Sequence, residues 1–319
     1  MLKKGLWLAL FVIALVLLGN CQEKKTTLGV IQIVSHPSLD AARQGFMDYL
    51  EESGFEPDKN ILISYENAQG DEEQARYIVD KFTKEKTDLI LAISTPSARA
   101  AISQNRIPVL FTAVTDPVGA GLEEKLNNSA RLIAGVTDLT TGCAQLQLLR
   151  ELLPETKTIG IIYNKAERYA ALQVERLRES VADYNMTIIT KEVENDMEAV
   201  HAAKNLLGEI DVLYLPTDKT VNSGLDEILL WAKLAKKPVF TGEAAGVQQG
   251  ALAAVEVNYY KLGRQTGEMA VKLLKKEKQI AQLGVESSRD NDIFINWQTA
   301  NELGIKVPPS LTAKAKILP

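Results

Sequence analysis

From Leu28 onward, short apolar runs alternate with stretches in which apolar side chains recur at helical spacing. Leu28–Val34 (LGVIQIV) reads as a strand. Ser38–Ser53 follows, with Leu39, Ala42, Phe46 and Leu50 on one helical face and Gly54 as a stop. Ile61–Tyr65 predicts a strand, Asp71–Lys84 a helix and Asp88–Ile93 a buried strand. A helix then opens at Thr95-Pro96, where proline suits a first turn because its missing N–H would have no partner there. Ile107–Thr112 predicts the next strand.

The pattern restarts near residue 157. Strands are predicted at Thr158–Tyr163, Met186–Glu192, Asp211–Leu215, Pro238–Thr241 and Ala251–Val257. Helices are predicted at Lys165–Tyr184, Glu198–Leu207, Val221–Lys236 and Tyr259–Lys276. Continuous apolar strands alternating with helices imply an α/β fold of doubly wound parallel sheets, covered on both faces. The halves also echo each other: Asp88-Leu-Ile-Leu-Ala-Ile-Ser-Thr-Pro against Asp211-Val-Leu-Tyr-Leu-Pro-Thr-Asp, and Ile107-Pro-Val-Leu-Phe-Thr against Lys237-Pro-Val-Phe-Thr. Two similar lobes would produce this echo, and so would chance likeness between buried strands.

The length of 319 residues suits two domains, and 46% apolar with 24% charged residues is a folded-protein balance. A net charge of −5 argues against a nucleic-acid partner, which needs clustered Lys and Arg. Two cysteines and two histidines, His36 and His201, leave no disulfide framework and make a Cys- or His-built metal centre unexpected. Gly119 and Gly121 would need a third glycine at 124 for a dinucleotide fingerprint, where Glu124 stands. With no phosphate-binding loop and no nucleophile elbow either, the chain is expected not to be an enzyme and to need no cofactor.

The N-terminus differs from the rest. Lys3 and Lys4 precede an uncharged run from Gly5 to Leu18. As a helix that run spans about 21 Å, short of a roughly 30 Å hydrocarbon core but fitting a secretory signal. Leu18-Gly19-Asn20-Cys21 resembles the lipobox of bacterial lipoproteins, whose cysteine is acylated and becomes the first mature residue. Asn20 stands where that group usually carries Gly, Ala or Ser. Residues 1–20 are thus expected to be a lipoprotein signal peptide and Cys21 the lipidation site. A plain signal or membrane anchor is the alternative. Cys143 is then left unpaired, and a buried, inert thiol is expected.

In doubly wound sheets, ligands sit outside the carboxyl ends of the strands. There the first half carries Ser35-His36-Pro37-Ser38, Ser94-Thr95-Pro96-Ser97 and Thr112-Ala113-Val114-Thr115-Asp116-Pro117. The second carries Asn164-Lys165-Ala166-Glu167, Thr217-Asp218-Lys219-Thr220 and Gly242-Glu243-Ala244-Ala245-Gly246. This set suits a small zwitterion. Ser94, Thr95 and Ser97 at a helix start could hold a carboxylate, and Asp116, Asp218 and Glu243 could accept from an ammonium. Helix capping or a turn explains Ser94, Thr95, Thr115, Asp116 and Asp218 equally well. His36 reads as ligand contact or structural histidine, and Tyr259 and Tyr260 fit packing in a hinge.

Several stretches together resemble the substrate-binding lipoproteins of ABC importers, in particular the tryptophan/tyrosine group. They are Gly29–Phe46 (GVIQIVSHPSLDAARQGF), Ile93–Ala98 (ISTPSA), Pro108–Val118 (PVLFTAVTDPV), Gly160–Asn164 (GIIYN), Tyr214–Val221 (YLPTDKTV) and Leu262–Ala270 (LGRQTGEMA). Ser35 stands where many members carry an acidic residue, which bears on the ligand more than the fold. The resemblance implies a type I periplasmic-binding-protein fold with a three-crossover hinge near Asp138, Val257 and Ser287. It implies one lobe of residues 28–138 plus 258–286 and another of 139–257 plus 287–319. It points to Ser94, Thr95, Thr112, Thr115, Asp116, Asn164, Asp218 and Glu243 as ligand-binding residues. The ligand would be an amino acid, aromatic by the family's habit, and the partners ABC permease and ATPase subunits. The place would be the bacterial cell envelope, lipid-anchored on the extracytoplasmic side. A ligand-sensing module of the same fold, or a receptor for a nucleoside-like ligand, is the alternative.

Overall fold

The structure is a computed structural model and describes residues 25–122, 132–140 and 142–319. The expected signal peptide and Cys21 lie outside the described residues. The first sheet is built from β1 (Thr26–Gln32), β2 (Ile61–Asn67), β3 (Leu89–Ile93), β4 (Val109–Thr112), β5 (Ile133–Thr137) and β11 (Val285–Ser287). The second holds β6 (Thr158–Tyr163), β7 (Thr187–Glu192), β8 (Val212–Leu215), β9 (Val239–Thr241), β10 (Ala253–Glu256), β12 (Asp292–Asn296) and β13 (Lys316–Leu318).

Their orders are β2-β1-β3-β4-β5-β11 and β7-β6-β8-β9-β10-β12-β13. The first five strands of each therefore follow one topology, with the order reversing beside β1 and β6. The echo between Asp88 and Asp211 reflects this: the two residues precede equivalent strands and do the same work. Asp88 accepts from the backbone N–H and hydroxyl of Thr27 at the start of β1 (2.8 and 2.9 Å). Asp211 accepts from the N–H groups of Lys157 and Thr158 at the start of β6 (2.8 and 2.9 Å). Those N–H groups hold the Asp211 carboxyl below its ordinary value. All strand pairs are parallel except β10 with β12, which run antiparallel.

Helices follow the strands: α1 (Pro37–Glu52), α2 (Glu72–Lys84), α3 (Thr95–Ser103), α4 (Gly142–Leu152), α5 (Arg168–Ser180), α6 (Asp196–Leu206), α7 (Lys219–Ser223), α8 (Leu225–Leu234), α9 (Ala244–Gln248), α10 (Tyr259–Leu274), α11 (Trp297–Glu302) and α12 (Pro309–Thr312). The single helix expected at Val221–Lys236 is two, α7 and α8, meeting at Gly224. A Cβ there would stand 3.0 Å from Val200 and 3.2 Å from the Asp196 carbonyl. Cys143 is exposed rather than buried, because it falls on the outer side of α4.

The chain passes between the sheets three times: between β5 and β6, between β10 and β11, and between β11 and β12. Helix α10 follows the second passage and packs against α1 of the first sheet. Two glycines permit the contact. A Cβ on Gly45 would lie 1.9 Å from the Tyr260 carbonyl oxygen, and one on Gly263 would lie 1.8 Å from that of Ala42. Backbone touches backbone there, and Phe46, Leu50, Leu262 and Met269 share one buried cluster with β1 and β3. Among the described residues no helix is long and apolar enough to cross a membrane.

Candidate ligand-binding site

The strand ends bring the expected residues into two groups. In the first sheet, Ser94 and Thr95 follow β3, while Thr112, Thr115 and Asp116 end or follow β4, its neighbour. Ser94 is the residue before α3, yet its side chain makes no capping bond and instead donates to the Ser97 hydroxyl at 3.4 Å. Its φ of 91° and the φ of 56° at Ala113 place two non-glycine residues in strained backbone at adjacent strand ends. Such strain costs about 1–3 kcal/mol and concentrates where ligands bind. Thr112 is fully buried, and its hydroxyl has no partner.

In the second sheet, Asn164 follows β6, Asp218 follows β8 and Glu243 follows β9, again neighbours. Asp218 is 1% exposed, and both its oxygens are taken. One accepts from the Asn164 N–H (2.6 Å) and the other caps α7 through the Val221 N–H (3.0 Å). Asp218 therefore serves as a structural cap and tie through both of its oxygens. Asn164 is similarly engaged, donating to the Thr220 hydroxyl (3.0 Å) and accepting from the Ala166 N–H (2.9 Å). Glu243 precedes α9 without capping it and accepts from the Asn222 amide (2.5 Å). His36 caps α1 by accepting from the Ser38 N–H at 3.3 Å.

Asp116 is committed as well. One of its oxygens accepts from the Gly119 N–H at 2.9 Å. The other accepts from Arg168 Nε (2.9 Å) and Nη2 (2.7 Å). Arg168 opens α5, so this ion pair joins the two lobes. It lies one position beyond the 164–167 loop, so a reading of strand-end loops alone passes over it.

Further residues sit between the lobes. Asp138, just after β5, is 6% exposed; its Oδ2 accepts from the Tyr259 hydroxyl at 3.0 Å and its Oδ1 has no partner. Burial pushes its carboxyl up, opposed by hydrogen bonds from the Thr115 and Tyr259 hydroxyls. Tyr169, in the first turn of α5, has its phenol pushed up by burial and then by the charge of Asp138, with Glu243 and Glu256 adding to the effect. Tyr259 is raised by the same causes, burial first and Asp138 second. Gln173, also on α5, accepts from the Thr217 N–H at 2.8 Å through Oε1, and its Nε2 has no partner. Residues from both lobes thus surround one acidic space holding two tyrosines and several unsatisfied polar atoms. Among the described residues no group of three or more His, Cys, Asp or Glu could hold a metal ion.

The profile of the ABC transporter substrate binding protein family matches residues 27–317. A protein of Clostridioides difficile called a tyrosine-binding protein is 37% identical over 285 residues, covering 89% of this chain and 82% of that one. Two solved structures each cover 92% of this chain and 99% of their own. One is the ligand-free, open form of a substrate-binding protein with adhesive properties from Clostridium difficile, with 38% identity and a TM-score of 0.79. The other is the ABC domain from Streptococcus pneumonia in complex with L-Trp, with 31% identity and a TM-score of 0.61. The twin sheets, the three passages between them and the matched span converge: the chain belongs to the family of ABC transporter substrate-binding proteins, with the type I periplasmic-binding-protein fold.

Proposed function

We propose that this chain captures an aromatic amino acid, tryptophan or tyrosine, between its lobes and delivers it to the permease of an ABC importer. The observation that carries the reading is the pair of buried, unpaired polar atoms Asp138 Oδ1 and Gln173 Nε2, beside Tyr169 and Tyr259 where residues of both lobes meet; Thr112 Oγ1, at the end of β4, is unpaired as well. Buried polar groups are nearly always hydrogen-bonded, so atoms left open in the ligand-free chain await a partner. Tyr169 and Tyr259 beside them offer aromatic surface with a polar tip. The relatives named for tyrosine and solved with L-Trp support the aromatic class. Ser94, Thr95, Thr112 and Thr115 remain the candidates for the ligand's carboxylate and backbone-like atoms.

The working units are residues 28–138 with 258–286 and residues 139–257 with 287–319, closing on one another about the three passages. The higher likeness to the ligand-free open relative than to the L-Trp complex supports an open form here. Closure would expel water and strengthen each polar contact. No covalent step takes place in this chain; a partner ATPase supplies the energy. Residues 1–20 direct export and acylated Cys21 anchors the mature chain on the extracytoplasmic face of a bacterial membrane. Each buried CH₂ of the lipid contributes about 0.8 kcal/mol to that anchoring.

A thermal-shift panel of amino acids tests the ligand class. Ligand at 100 times its dissociation constant adds about 2.7 kcal/mol of stability, so tryptophan or tyrosine is expected to raise the melting temperature clearly. No rise with any aromatic amino acid overturns the aromatic reading.

A further inference from the structure

We propose that Asp138 is the residue that takes the ligand's ammonium group, through Oδ1. This rests on the reading that the ligand is an amino acid. The assignment follows from what each carboxylate around the interlobe space is already doing. Asp116 is held by Arg168 and the Gly119 N–H. Asp218 accepts a backbone N–H at each oxygen. Glu243 accepts from Asn222, and Glu256 lies 3.3 Å from the Ala244 N–H. Asp138 alone among these combines deep burial with an oxygen that has no partner.

The chemistry of that oxygen is specific. An ionised carboxylate is an acceptor only, and the donors around Asp138 are the Thr115 and Tyr259 hydroxyls and its own backbone N–H, which donate without neutralising it. Among the described residues no Lys, Arg or His charge acts on its carboxyl. A buried anion without a cation is costly, and a primary ammonium supplies both the charge and the donors. The surroundings favour a cation further. Tyr169 comes from the second lobe, and Glu243 and Glu256 add negative charge near it. Asp138 also lies on the first passage between the lobes, and its partner Tyr259 lies on the second. A cation bound there would engage two hinge strands together, so that ammonium recognition and lobe closure share one residue.

The test is calorimetric titration of the full chain and its Asp138→Asn and Tyr259→Phe variants. Probes are L-tryptophan, L-tyrosine, L-leucine and indole-3-propionic acid, which lacks the amine. Ligand-free melting is measured alongside. The wild type is expected to bind an amino acid and reject the des-amino acid. D138N is expected to bind that amino acid at least tenfold more weakly and to lose most of the discrimination. Ligand-free D138N is expected to melt higher than the wild type at neutral pH, because the unpaired anion is gone; a purely structural role predicts lower melting. Y259F, which keeps the carboxylate and removes one donor, is expected to lose affinity by several-fold only.

Affinity within twofold of the wild type in D138N overturns the assignment, as does weaker binding with discrimination intact. Wild-type binding of L-leucine but no aromatic amino acid ends the aromatic reading and leaves Asp138 to be judged by the same variants. If the wild type binds no amino acid, both fall together. If D138N does not fold, retention of full affinity by the wild type when acid protonates its carboxylates overturns the proposal.

Discussion

Arg168 reaches across from the second lobe to place Nε and Nη2 at 2.9 and 2.7 Å from a single oxygen of Asp116 on the first. Arg168 is 61% exposed and Asp116 17%, so water and salt screen the pair, and its worth is below about 1 kcal/mol. Its position matters more than its strength. It joins the rims of the interlobe space and limits how far they can part. Asp116→Asn is expected to widen the ligand-free particle in small-angle scattering. It should also weaken ligand binding by no more than about fivefold, the equivalent of 1 kcal/mol. Salt should have the same effect on the wild type and little on the variant. An unchanged radius of gyration would remove the tether.

Asp218→Ala should act on folding before it acts on binding. The change removes the cap of α7 and leaves the Asn164 N–H without its acceptor. Losing a cap costs about 1–2 kcal/mol, and the orphaned N–H adds to that. A urea midpoint shifted by this amount, with affinity of the folded fraction nearly kept, is the expected result. A large loss of affinity at unchanged stability would return Asp218 to the ligand.

Gly263→Ala is expected to destabilise by about 2 kcal/mol or more, in the range of overpacked cores. The added methyl would sit 1.8 Å from the Ala42 carbonyl oxygen, so α10 must move off α1. Gly284→Ala is the control, since nothing lies within 4 Å of a Cβ there. Chemical denaturation of both variants checks the prediction.

The pH dependence carries two opposite signs. Burial raises Asp138 above 3.8 and Glu256 above 4.5. The folded state therefore holds protons that the unfolded chain releases. Stability from these groups is fully present below the unfolded values and is lost as pH rises through the raised ones. Asp211 is lowered by its two backbone N–H groups, so its contribution is present above 3.8 and is lost as pH falls through its depressed value. The ligand-free wild type minus D138N isolates the first sign: the variant's advantage in melting temperature should grow from mild acid to neutral pH. Bound amino acid should reverse the trend, giving a larger ligand-induced rise at neutral pH than in acid.

The sequence made most of the framework legible, because buried parallel strands are dense apolar runs and their helices carry a clear face. Asp71 and Gly54 mark the start of α2 and the end of α1 as their chemistry requires. The sequence reading leaves out helix α4, although Leu146, Leu149 and Leu152 give it an apolar face, and strand β12, along with shorter strands that carry little pattern. Strand β5 is five residues with a glycine at its centre, and β11 and β13 have three residues each. The faint pattern of β5 bears on the site. Strand ends mark candidates only where the strand itself shows in the sequence, so Asp138 reads there as a crossover position and not as a ligand contact. Tyr169, Gln173 and Arg168 lie within a helix, where spacing gives no sign that they turn toward a partner lobe. Conversely, Asp218 and Asn164 have the right residue type at the right place, and the structure adds tertiary hydrogen bonds to them that spacing does not foretell.

Helix α10 and strand β11 complete the first lobe, yet they come after the whole run from β6 to β10 that builds most of the second. No prefix of the chain ending before Tyr259 contains the helix that packs against α1, so the first lobe reaches its full complement of elements only after most of the second has been made. Neither lobe is thus one uninterrupted length of polypeptide, and shortening the chain from its C-terminal end removes parts of both.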